Sequence, residues 1–393
     1  MARKPLASIM TFFGTIGLTT LALSYFIFHN LPATALSTSL ELPPYFSYSP
    51  TDIQFLNTLT SDKVITDAEV DHWVQVVFDL VKKIDKKFDA TRVYAYFFAA
   101  QRDAAALSYQ TKKKLAGNLT AISTKTLCLL LPDKCSSIPP AEESDAYSIK
   151  IAEIVSQKIA QRFEAENKAL DAASTSTPPK EWAQDKAYFG LKIGYQTPWL
   201  ITASNQFRLE NPKEYGFNEI KAQKEELQKI LSSVTKQQIE IAQKWTAGTG
   251  TILTSGQWLE LANNYMSKHN TPLVRSIFVR SILAMGVADA TITYYDTKFT
   301  YWQQRPSMLF PELKTNLKTP NQPSYPSGHA TLSMAAAIIM DHYFPENQAE
   351  WDSTANEIGQ SRLWGGVHFP IDDHDGLELG RKIGDWIIKK LES

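Results

Sequence analysis

Cysteine is scarce in this sequence, and charge of neither sign predominates. There are two cysteines among 393 residues, and 40 Lys and Arg balance 41 Asp and Glu, which gives a formal net charge of −1. This composition excludes a disulfide-dense small domain and an overall positive field that would recruit nucleic acid. We therefore predict no nucleic-acid partner. Any anion that binds this protein must be held by cations placed locally.

Glycine and proline are also sparse, with 17 and 20 residues, and this excludes collagen-like and low-complexity chains. Hydrophobic residues make up 44% and charged residues 21%, close to the average of globular proteins, so disorder is excluded as the main state. A chain of this length can bury a sizeable core in about two domains, or in one large domain with an extension.

A long uncharged segment lies near the N-terminus. Arg3 and Lys4 precede it, it runs from residue 5 to residue 28, and Ala33-Thr34-Ala35 follows as a small-x-small cleavage pattern. These features favour a cleaved signal peptide over residues 1–35, and hence export to the periplasm or the cell exterior. Because an apolar run of about 20 residues spans a bilayer, an uncleaved anchor over residues 5–28 is the alternative. Membrane contact is expected only through this segment.

The two cysteines, Cys128 and Cys135, are close in sequence, with Pro132 and Asp133 between them. In an exported protein a Pro-Asp turn can bring such a pair into a local disulfide. Two unpaired buried thiols are the alternative. Zinc binding is disfavoured, because no histidine or second cysteine pair lies nearby at ligand spacing.

Helical periodicity dominates the rest of the chain, and few stretches alternate with a period of two residues. A capping-box pattern at Thr66 to Glu69 precedes one amphipathic stretch, and a second apolar stripe runs from Glu143 to about Ala173. The stretch from Leu273 through Tyr295 is apolar on all sides, which predicts a helix central to the core. We expect an all-α helical bundle with the functional site among helix ends.

Composition also suggests boundaries along the chain. We predict an extended Pro- and Ser-rich lead at residues 36–65, an N-terminal helical region at residues 66–250 and a C-terminal core at residues 251–393. Two further helices are expected within that core, from Ala330 to Met340 and from Gly376 to Leu391.

Three short clusters in the last hundred residues carry groups that suit a tetrahedral oxyanion. In chain order they are Lys298 with Arg305-Pro306, then Pro326-Ser327-Gly328-His329, then Ser361-Arg362 with His368 and Asp372. Guanidinium groups offer forked donors that match phosphate-like oxygens, and a lysine adds a compact charge. Backbone N–H groups at the start of the helix that follows Ser327 and Gly328 add neutral donors. The three clusters together predict an oxyanion site.

In its spacing, Lys298-x6-Arg305-Pro306, then Pro326 to His329, then Ser361-Arg362-x5-His368-x3-Asp372, the sequence resembles a known three-part signature. It is that of the superfamily of type 2 phosphatidic acid phosphatases (PAP2) and vanadium-dependent haloperoxidases. Every specified position is present and in order, over about residues 289–389. The resemblance implies a helical bundle of the PAP2 and haloperoxidase type with additional N-terminal helices, and it makes residues 251–393 the catalytic core.

The resemblance also implies a role for each residue. His368 is the expected nucleophile of a phosphatase, or the vanadium ligand of a haloperoxidase, and Asp372 is expected to fix its tautomer. His329 is the expected acid–base group. The residues expected to hold the phosphate or vanadate oxygens are Lys298, Arg305, Ser327, Gly328 and Arg362.

Some local features of the sequence favour a haloperoxidase, and others favour a phosphatase. The sequence Gly365-Gly366-Val367-His368 and the long helical N-terminal part resemble bacterial haloperoxidases. In contrast, Gln304 stands where many haloperoxidases place Trp, and Pro370 is similar to the phosphatase branch. We predict a phosphatase that hydrolyses phosphomonoesters through a phosphohistidine and needs no cofactor. The alternatives are a haloperoxidase, which uses vanadate, peroxide and halide, and a non-catalytic oxyanion-binding protein.

The expected substrate is a small water-soluble phosphoester. Lipid phosphatases of this superfamily usually embed the site among transmembrane helices. Here the central apolar stretch carries Arg275, Arg280 and Asp289, and the mean hydropathy of the chain is −0.24. Such charges disfavour a membrane-embedded site.

Overall fold

The computed structural model describes residues 42–84, 90–182, 188–212, 217–248 and 250–393. These residues are mostly α-helical and contain no β-strand, and one isolated bridge joins Val64 to Ala116. The predicted all-α fold is therefore confirmed. The predicted signal peptide or anchor, residues 1–35, lies outside the described residues.

The helices fall into an N-terminal and a C-terminal set. The first set comprises α1 (Pro50–Thr58), α2 (Asp67–Lys82), α3 (Ala90–Lys112), α4 (Thr120–Leu130), α5 (Ala146–Ala172), α6 (Phe217–Ser233) and α7 (Lys236–Lys244). The second set comprises α8 (Leu253–Lys268), α9 (Leu273–Tyr301), α10 (Pro306–Leu309), α11 (Gly328–Tyr343), α12 (Gln348–Trp364) and α13 (Pro370–Leu391). None of the helices in the described ranges combines the length and hydrophobicity needed to cross a membrane.

Helix α1 lies within the lead that was predicted to be extended, so that prediction is wrong for residues 50–58. The side chain of Ser49 accepts a hydrogen bond from the N–H of Asp52, and Pro50 begins the helix, where no N–H is needed. Leu56 of this helix is fully buried. A local cap and one buried contact thus outweigh a composition typical of loops. The other predicted boundaries, at residues 66, 250 and 251, stay predictions.

Helix α9 is central to the core, as its apolar character predicted. It packs against α3, α8 and α11, and α11 in turn packs against α12 and α13. Helices α11 and α13 approach each other so closely at Gly380 that a methyl group there would collide with the carbonyl oxygen of Thr331. This close packing fixes the relative positions of the helix ends that carry the predicted site residues.

Three of these helices extend beyond their predicted bounds, and each extension carries site residues. Helix α9 continues past Tyr295 to Tyr301, which places Lys298 in its last turn. Helix α11 begins at Gly328 rather than Ala330, and α13 begins at Pro370 rather than Gly376, which places Asp372 in its first turn. The predicted site residues therefore lie at helix ends.

A buried carboxylate attaches an irregular segment of the chain to the core. Asp289 of α9 is fully buried and accepts hydrogen bonds from the N–H groups of Trp199, Leu200 and Ile201 at 2.7, 2.6 and 2.9 Å. Burial raises the pKa of Asp289 to about 6, although the three N–H donors oppose this shift. A single side chain of the central helix thereby satisfies three backbone donors of a loop that has no regular structure.

Cys128 and Cys135 form a disulfide bond. The chain leaves α4 and turns back through a short 3₁₀-helix, Pro132–Ser137, which begins at the proline of the Pro-Asp pair. Of the two alternatives that the sequence left open, the structure shows the local disulfide.

We expect Asp289→Ala to destabilise the protein strongly. The change leaves three buried N–H groups without an acceptor, at about 1–3 kcal/mol each, so the free energy of unfolding should fall by about 3 kcal/mol or more. Urea denaturation measures the loss. Asp79→Ala is the control, because that carboxylate is exposed and pairs with its helix neighbours Lys82 and Gln75; the change should cost less than about 1 kcal/mol. Equal losses in the two variants would contradict the role assigned to Asp289.

Candidate active site

Four helix ends bring the three sequence clusters together. Lys298 lies in the last turn of α9, Gly328 begins α11, Arg362 lies in the last turn of α12, and Asp372 lies in the first turn of α13. The clusters are linked directly, since the N–H of Ser327 donates to the carbonyl oxygen of Asp372 at 2.8 Å. Residues that are far apart in the sequence therefore form one site.

His368 and Asp372 form a hydrogen-bonded pair in which Nδ1 of the ring lies 3.0 Å from Oδ2 of the carboxylate. The same oxygen accepts from the N–H of Phe369 at 2.9 Å and from the hydroxyl of Ser324 at 2.6 Å. An ionised carboxylate oxygen can only accept hydrogen bonds, so in the contact with His368 the hydrogen is on Nδ1 of the ring. The lone pair of a neutral ring is then on Nε2.

Arg305 supports the same tautomer from the other side of the ring. Its Nη1 donates to Nε2 of His368 at 2.8 Å and to the carbonyl oxygen of Val367 at 2.7 Å, and its Nε donates to the carbonyl oxygen of Gln322 at 2.9 Å. A guanidinium group can only donate, so Nε2 must accept. Burial and the positive charge of Arg305 hold the pKa of His368 well below its ordinary value of 6.5. His368 therefore presents a neutral nitrogen to a cationic pocket.

Lys298 and Arg305 are buried cations held by backbone carbonyl groups. Nζ of Lys298 donates to the carbonyl oxygens of Pro323 and Ser324 at 2.7 and 2.8 Å. An ammonium group has three donors, so one remains for a ligand. Both N–H bonds on Nη2 of Arg305 also remain, because the contacts found for this side chain in the described residues use Nε and Nη1. Burial lowers the pKa of Lys298 and of Arg305, the latter to about 10.

The start of α11 supplies neutral donors. Ser327 caps the helix, with its side-chain oxygen accepting from the N–H of Ala330 at 3.4 Å, and no acceptor for its hydroxyl hydrogen lies in the part of the chain that the structure describes. The N–H groups of Gly328 and His329 lie in the first turn, where a helix offers them no acceptor. Gly328 is packed against an aromatic ring, since a methyl group there would lie 2.8 Å from the ring of Tyr294. Ser327 and Gly328 thus lie at the start of a helix, and their role in holding an oxyanion stays a prediction.

His329 is half-buried and contacts a residue of the N-terminal helical region. Its Nε2 lies 3.1 Å from the carbonyl oxygen of Trp245, which follows α7. Because a carbonyl group only accepts, Nε2 of His329 carries a hydrogen, and Nδ1 is the nitrogen left to take up or release a proton. Burial and the nearby charge of Arg362 lower the pKa of His329 well below 6.5.

Arg362 is held by the same N-terminal segment. Its Nη2 donates to the carbonyl oxygen of Ala242 at 2.5 Å, its Nη1 to the hydroxyl of Thr246 at 3.3 Å, and its Nε to the hydroxyl of Ser361 at 3.0 Å. Burial lowers the pKa of Arg362 to about 9. Each of the two Nη atoms keeps one N–H for a ligand.

Ala242, Trp245 and Thr246 contact the site but were not predicted from the sequence. Two of them act through main-chain carbonyl groups, which any residue provides, and the third is a single threonine outside any motif. No side-chain pattern in the sequence marks this segment.

Asp373 was also missed, although it is adjacent to Asp372. It is buried, its Oδ1 has no hydrogen-bond partner among the described residues, and a methyl group at Gly359 of α12 would lie 2.5 Å from that oxygen. Burial, with a further contribution from the charge of Asp372, raises the pKa of Asp373 to about 7, while Arg362 opposes the shift. The carboxyl group therefore lies near enough to Arg362 to interact with its charge, and it is partly neutral near pH 7.

The structure thus brings together all eight residues that the sequence assigned to the site. The network provides three cations, a hydroxyl group, two main-chain N–H groups and a neutral imidazole nitrogen. These donors suit the oxygens of phosphate, and they fit vanadate equally, because it presents the same kind of oxygens and is ligated by a neutral histidine nitrogen.

Part of the chain is similar in sequence to a known superfamily and to known phosphatases. Residues 278–387 match the model of the PAP2 superfamily. The chain is 32% identical over 121 residues to a non-specific acid phosphatase of Salmonella typhi, covering 29% of this chain and 45% of that protein. It is 36% identical over 84 residues to a decaprenylphosphoryl-5-phosphoribose phosphatase of Mycobacterium tuberculosis, covering 21% and 44%. The matches thus span less than half the length of these relatives.

Solved structures resemble a larger part of the chain. A bacterial vanadium-dependent iodoperoxidase superposes with a TM-score of 0.66 at 18% identity, over 82% of this chain and 96% of that one. A bacterial vanadium-dependent chloroperoxidase in its holo form gives 0.58 at 13% identity, over 88% and 94%. At these identities the likeness shows the fold, and it extends to the N-terminal helices.

We expect the stability effect of Asp373→Asn to depend on pH. The folded-state pKa of about 7 exceeds the ordinary 3.8, so the wild type loses stability as pH rises from about 4 through 7. An asparagine does not titrate. Relative to the wild type, the variant should therefore gain roughly 2–3 kcal/mol in free energy of unfolding between pH 5 and pH 8.

Urea denaturation of both proteins at the two pH values measures this difference, and titrating groups that do not interact with Asp373 cancel in the comparison. Asp79→Asn, which replaces an exposed carboxylate, should show no such gain. A stability difference between Asp373→Asn and wild type that stays constant with pH would contradict the burial-induced shift.

Proposed function

Because the chain belongs to the PAP2 and vanadium haloperoxidase superfamily, we propose that it is an exported phosphatase that hydrolyses phosphomonoesters through a phosphohistidine on His368. The observation that carries the proposal is the state of His368. Its Nδ1 is bonded to Asp372, and its Nε2 holds a lone pair 2.8 Å from Arg305. A neutral nucleophile is therefore aimed at the place where cations gather the oxygens of a phosphoryl group.

In the first step, the hydrogen bond from Nη1 of Arg305 to Nε2 of His368 breaks, and that N–H turns to a phosphoryl oxygen. The freed lone pair of Nε2 attacks phosphorus, and the bond from phosphorus to the leaving oxygen breaks. Lys298, Arg305 and Arg362 stabilise the charge that develops on the remaining oxygens. His329 donates a proton from Nδ1 to the leaving oxygen. The pKa of His329 is lowered in the free protein, partly by Arg362, and a bound phosphate offsets that repulsion so that the protonated form becomes available.

In the second step, water hydrolyses the phosphohistidine. Nδ1 of His329 accepts a proton from the attacking water, the bond between Nε2 of His368 and phosphorus breaks, and phosphate leaves. Asp372 keeps its hydrogen bond to Nδ1–H of His368 through both steps, so the ring returns to the tautomer that it had at the start. Protons and electron pairs balance over the cycle without a cofactor.

The proposed substrates are small phosphomonoesters, and no nucleic-acid partner is proposed. Two of the sequence relatives named above are phosphatases, and the three cations match one phosphoryl group. Export is supported by the uncharged N-terminal segment and by the disulfide between Cys128 and Cys135, since disulfides persist in oxidising compartments. The periplasm or the cell exterior is the proposed location.

A vanadium-dependent haloperoxidase is the second candidate, and the extent of the fold likeness favours it. The likeness to the iodoperoxidase covers 82% of this chain, including helices outside residues 278–387. When bound, vanadate would supply the centre at which hydrogen peroxide oxidises a halide ion. Nε2 of His368 would be its ligand, and Nδ1 of His329 would hold or move a proton beside it. The vanadate oxygens would be held by Lys298, Arg305, Ser327, Gly328 and Arg362.

Paired assays on the purified full chain distinguish these functions. We expect phosphate release from p-nitrophenyl phosphate, inhibition by vanadate, and at least ~10³-fold loss of rate in His368→Ala, because the nucleophile is removed. The control is His374→Ala, an exposed histidine that pairs with Asp375 at the surface, and it should retain wild-type activity.

The second assay follows bromination of a dye with hydrogen peroxide and added vanadate. Vanadate-dependent bromination without phosphate release would replace the phosphatase proposal with the haloperoxidase. No activity in either assay, together with intact phosphate binding, would indicate a non-catalytic oxyanion-binding protein.

A further inference from the structure

We propose that residues 242–246, the last turn of α7 and the two residues that follow it, position two groups of the active site: they hold the guanidinium of Arg362 and fix the tautomer of His329. The inference rests on the oxyanion chemistry proposed above and deepens it. This segment lies outside residues 278–387, which match the superfamily model, and outside the core predicted at residues 251–393.

Arg362 reaches the segment through a consistent set of hydrogen bonds. The carbonyl oxygen of Ala242 accepts from Nη2 of Arg362, and it also accepts from the hydroxyl of Thr246 at 2.8 Å. Because the single hydroxyl hydrogen of Thr246 is used there, its oxygen is left to accept from Nη1 of Arg362 at 3.3 Å. Two adjacent acceptors thus fix two of the three nitrogens of the guanidinium group.

The end of a helix suits this task electrostatically. The last carbonyl groups of a helix lack partners within the helix and carry partial negative charge. Arg362 is buried, and among the contacts of the described residues Asp373 makes no hydrogen bond to it. Of the acceptors that compensate this buried cation, the carbonyl oxygen of Ala242 forms the shortest hydrogen bond.

His329 depends on the same turn through the carbonyl oxygen of Trp245. The main chain of Trp245 is held by its N–H, which donates to the carbonyl oxygen of Ile241 at 3.1 Å. Its indole Nε1 donates to Oε1 of Glu357 on α12 at 2.8 Å. The carbonyl oxygen that accepts from Nε2 of His329 is thus anchored on both sides, so Nδ1 is kept as the nitrogen that exchanges a proton.

The two functions of the segment can be tested separately, because each depends on a different side chain that can be replaced. Thr246→Val removes the acceptor for Arg362 while keeping shape, and Thr246→Ser keeps the hydroxyl. Trp245→Phe removes the anchor to Glu357, and Glu357→Gln keeps an acceptor for the indole. Thr246 is exposed, so its variants should fold.

The first test measures binding of inorganic vanadate by calorimetry, which does not depend on turnover. Thr246→Val should bind vanadate about tenfold more weakly than wild type, because a hydrogen bond to a charged group is lost, and Thr246→Ser should restore the affinity. Wild-type affinity in Thr246→Val would overturn the assignment for Arg362.

The second test reads the tautomer of His329 from the nitrogen chemical shifts of ¹⁵N-labelled histidine. The full chain should show hydrogen on Nε2 of His329, Trp245→Phe should show a mixture of tautomers, and Glu357→Gln should match wild type. Hydrogen on Nδ1 in the wild type would overturn the assignment by itself, even where Trp245→Phe fails to fold.

Neither readout requires phosphatase activity. If phosphate release is absent while vanadate affinity and the tautomer respond as expected, the phosphatase proposal fails and this inference stands. If phosphate is released, its rate can be measured as a function of pH. Where the protonation of His329 sets one side of that pH–rate profile, that side should shift in Trp245→Phe and stay in place in Glu357→Gln.

Discussion

The burial of three cations next to one another is the constraint on which the rest of this structure depends. Lys298, Arg305 and Arg362 are each at most 3% exposed, and an unpaired buried charge costs several kcal/mol. No salt bridge was found for any of the three in the described residues. They are held instead mainly by main-chain carbonyl oxygens of the loop before α11, of the residue before His368 and of the end of α7. Neutral acceptors of this kind position the cations without cancelling the positive field that an oxyanion needs.

The sequence predicts the fold class, which the structure confirms, and a set of site residues, which the structure brings together, because both predictions depend on side chains. Apolar periodicity marks the helices, and the charged groups are specific enough in type and spacing to indicate oxyanion chemistry. Helix ends are less predictable, since Lys298 and Gly328 belong to turns that tertiary contacts extend. The role of Trp245 could not be predicted at all, because its contact with His329 is made by a main-chain carbonyl group.

The pair Asp372 and Asp373 shows how burial separates identical side chains. In the sequence both are acidic residues that suit the first turn of a helix. In the structure, Asp372 accepts three hydrogen bonds and orients His368, whereas Asp373 faces Gly359 of α12 with an oxygen that has no partner. Their different environments depend on how α12 and α13 pack, which residue types alone do not specify.

Helix direction explains why an all-α fold can hold this site. Lys298 and Arg362 lie in the last turns of α9 and α12, where the partial charge of the helix is negative, and Asp372 lies in the first turn of α13, where it is positive. These three charged residues are therefore at helix ends of opposite sign, whereas Arg305 precedes the short helix α10 and is held by carbonyl oxygens of Gln322 and Val367. The first N–H groups of α11, at Gly328 and His329, are left for the ligand. Because α7 adds one more carbonyl end beside Arg362, the N-terminal helical region contributes to the same arrangement of charges as the C-terminal core.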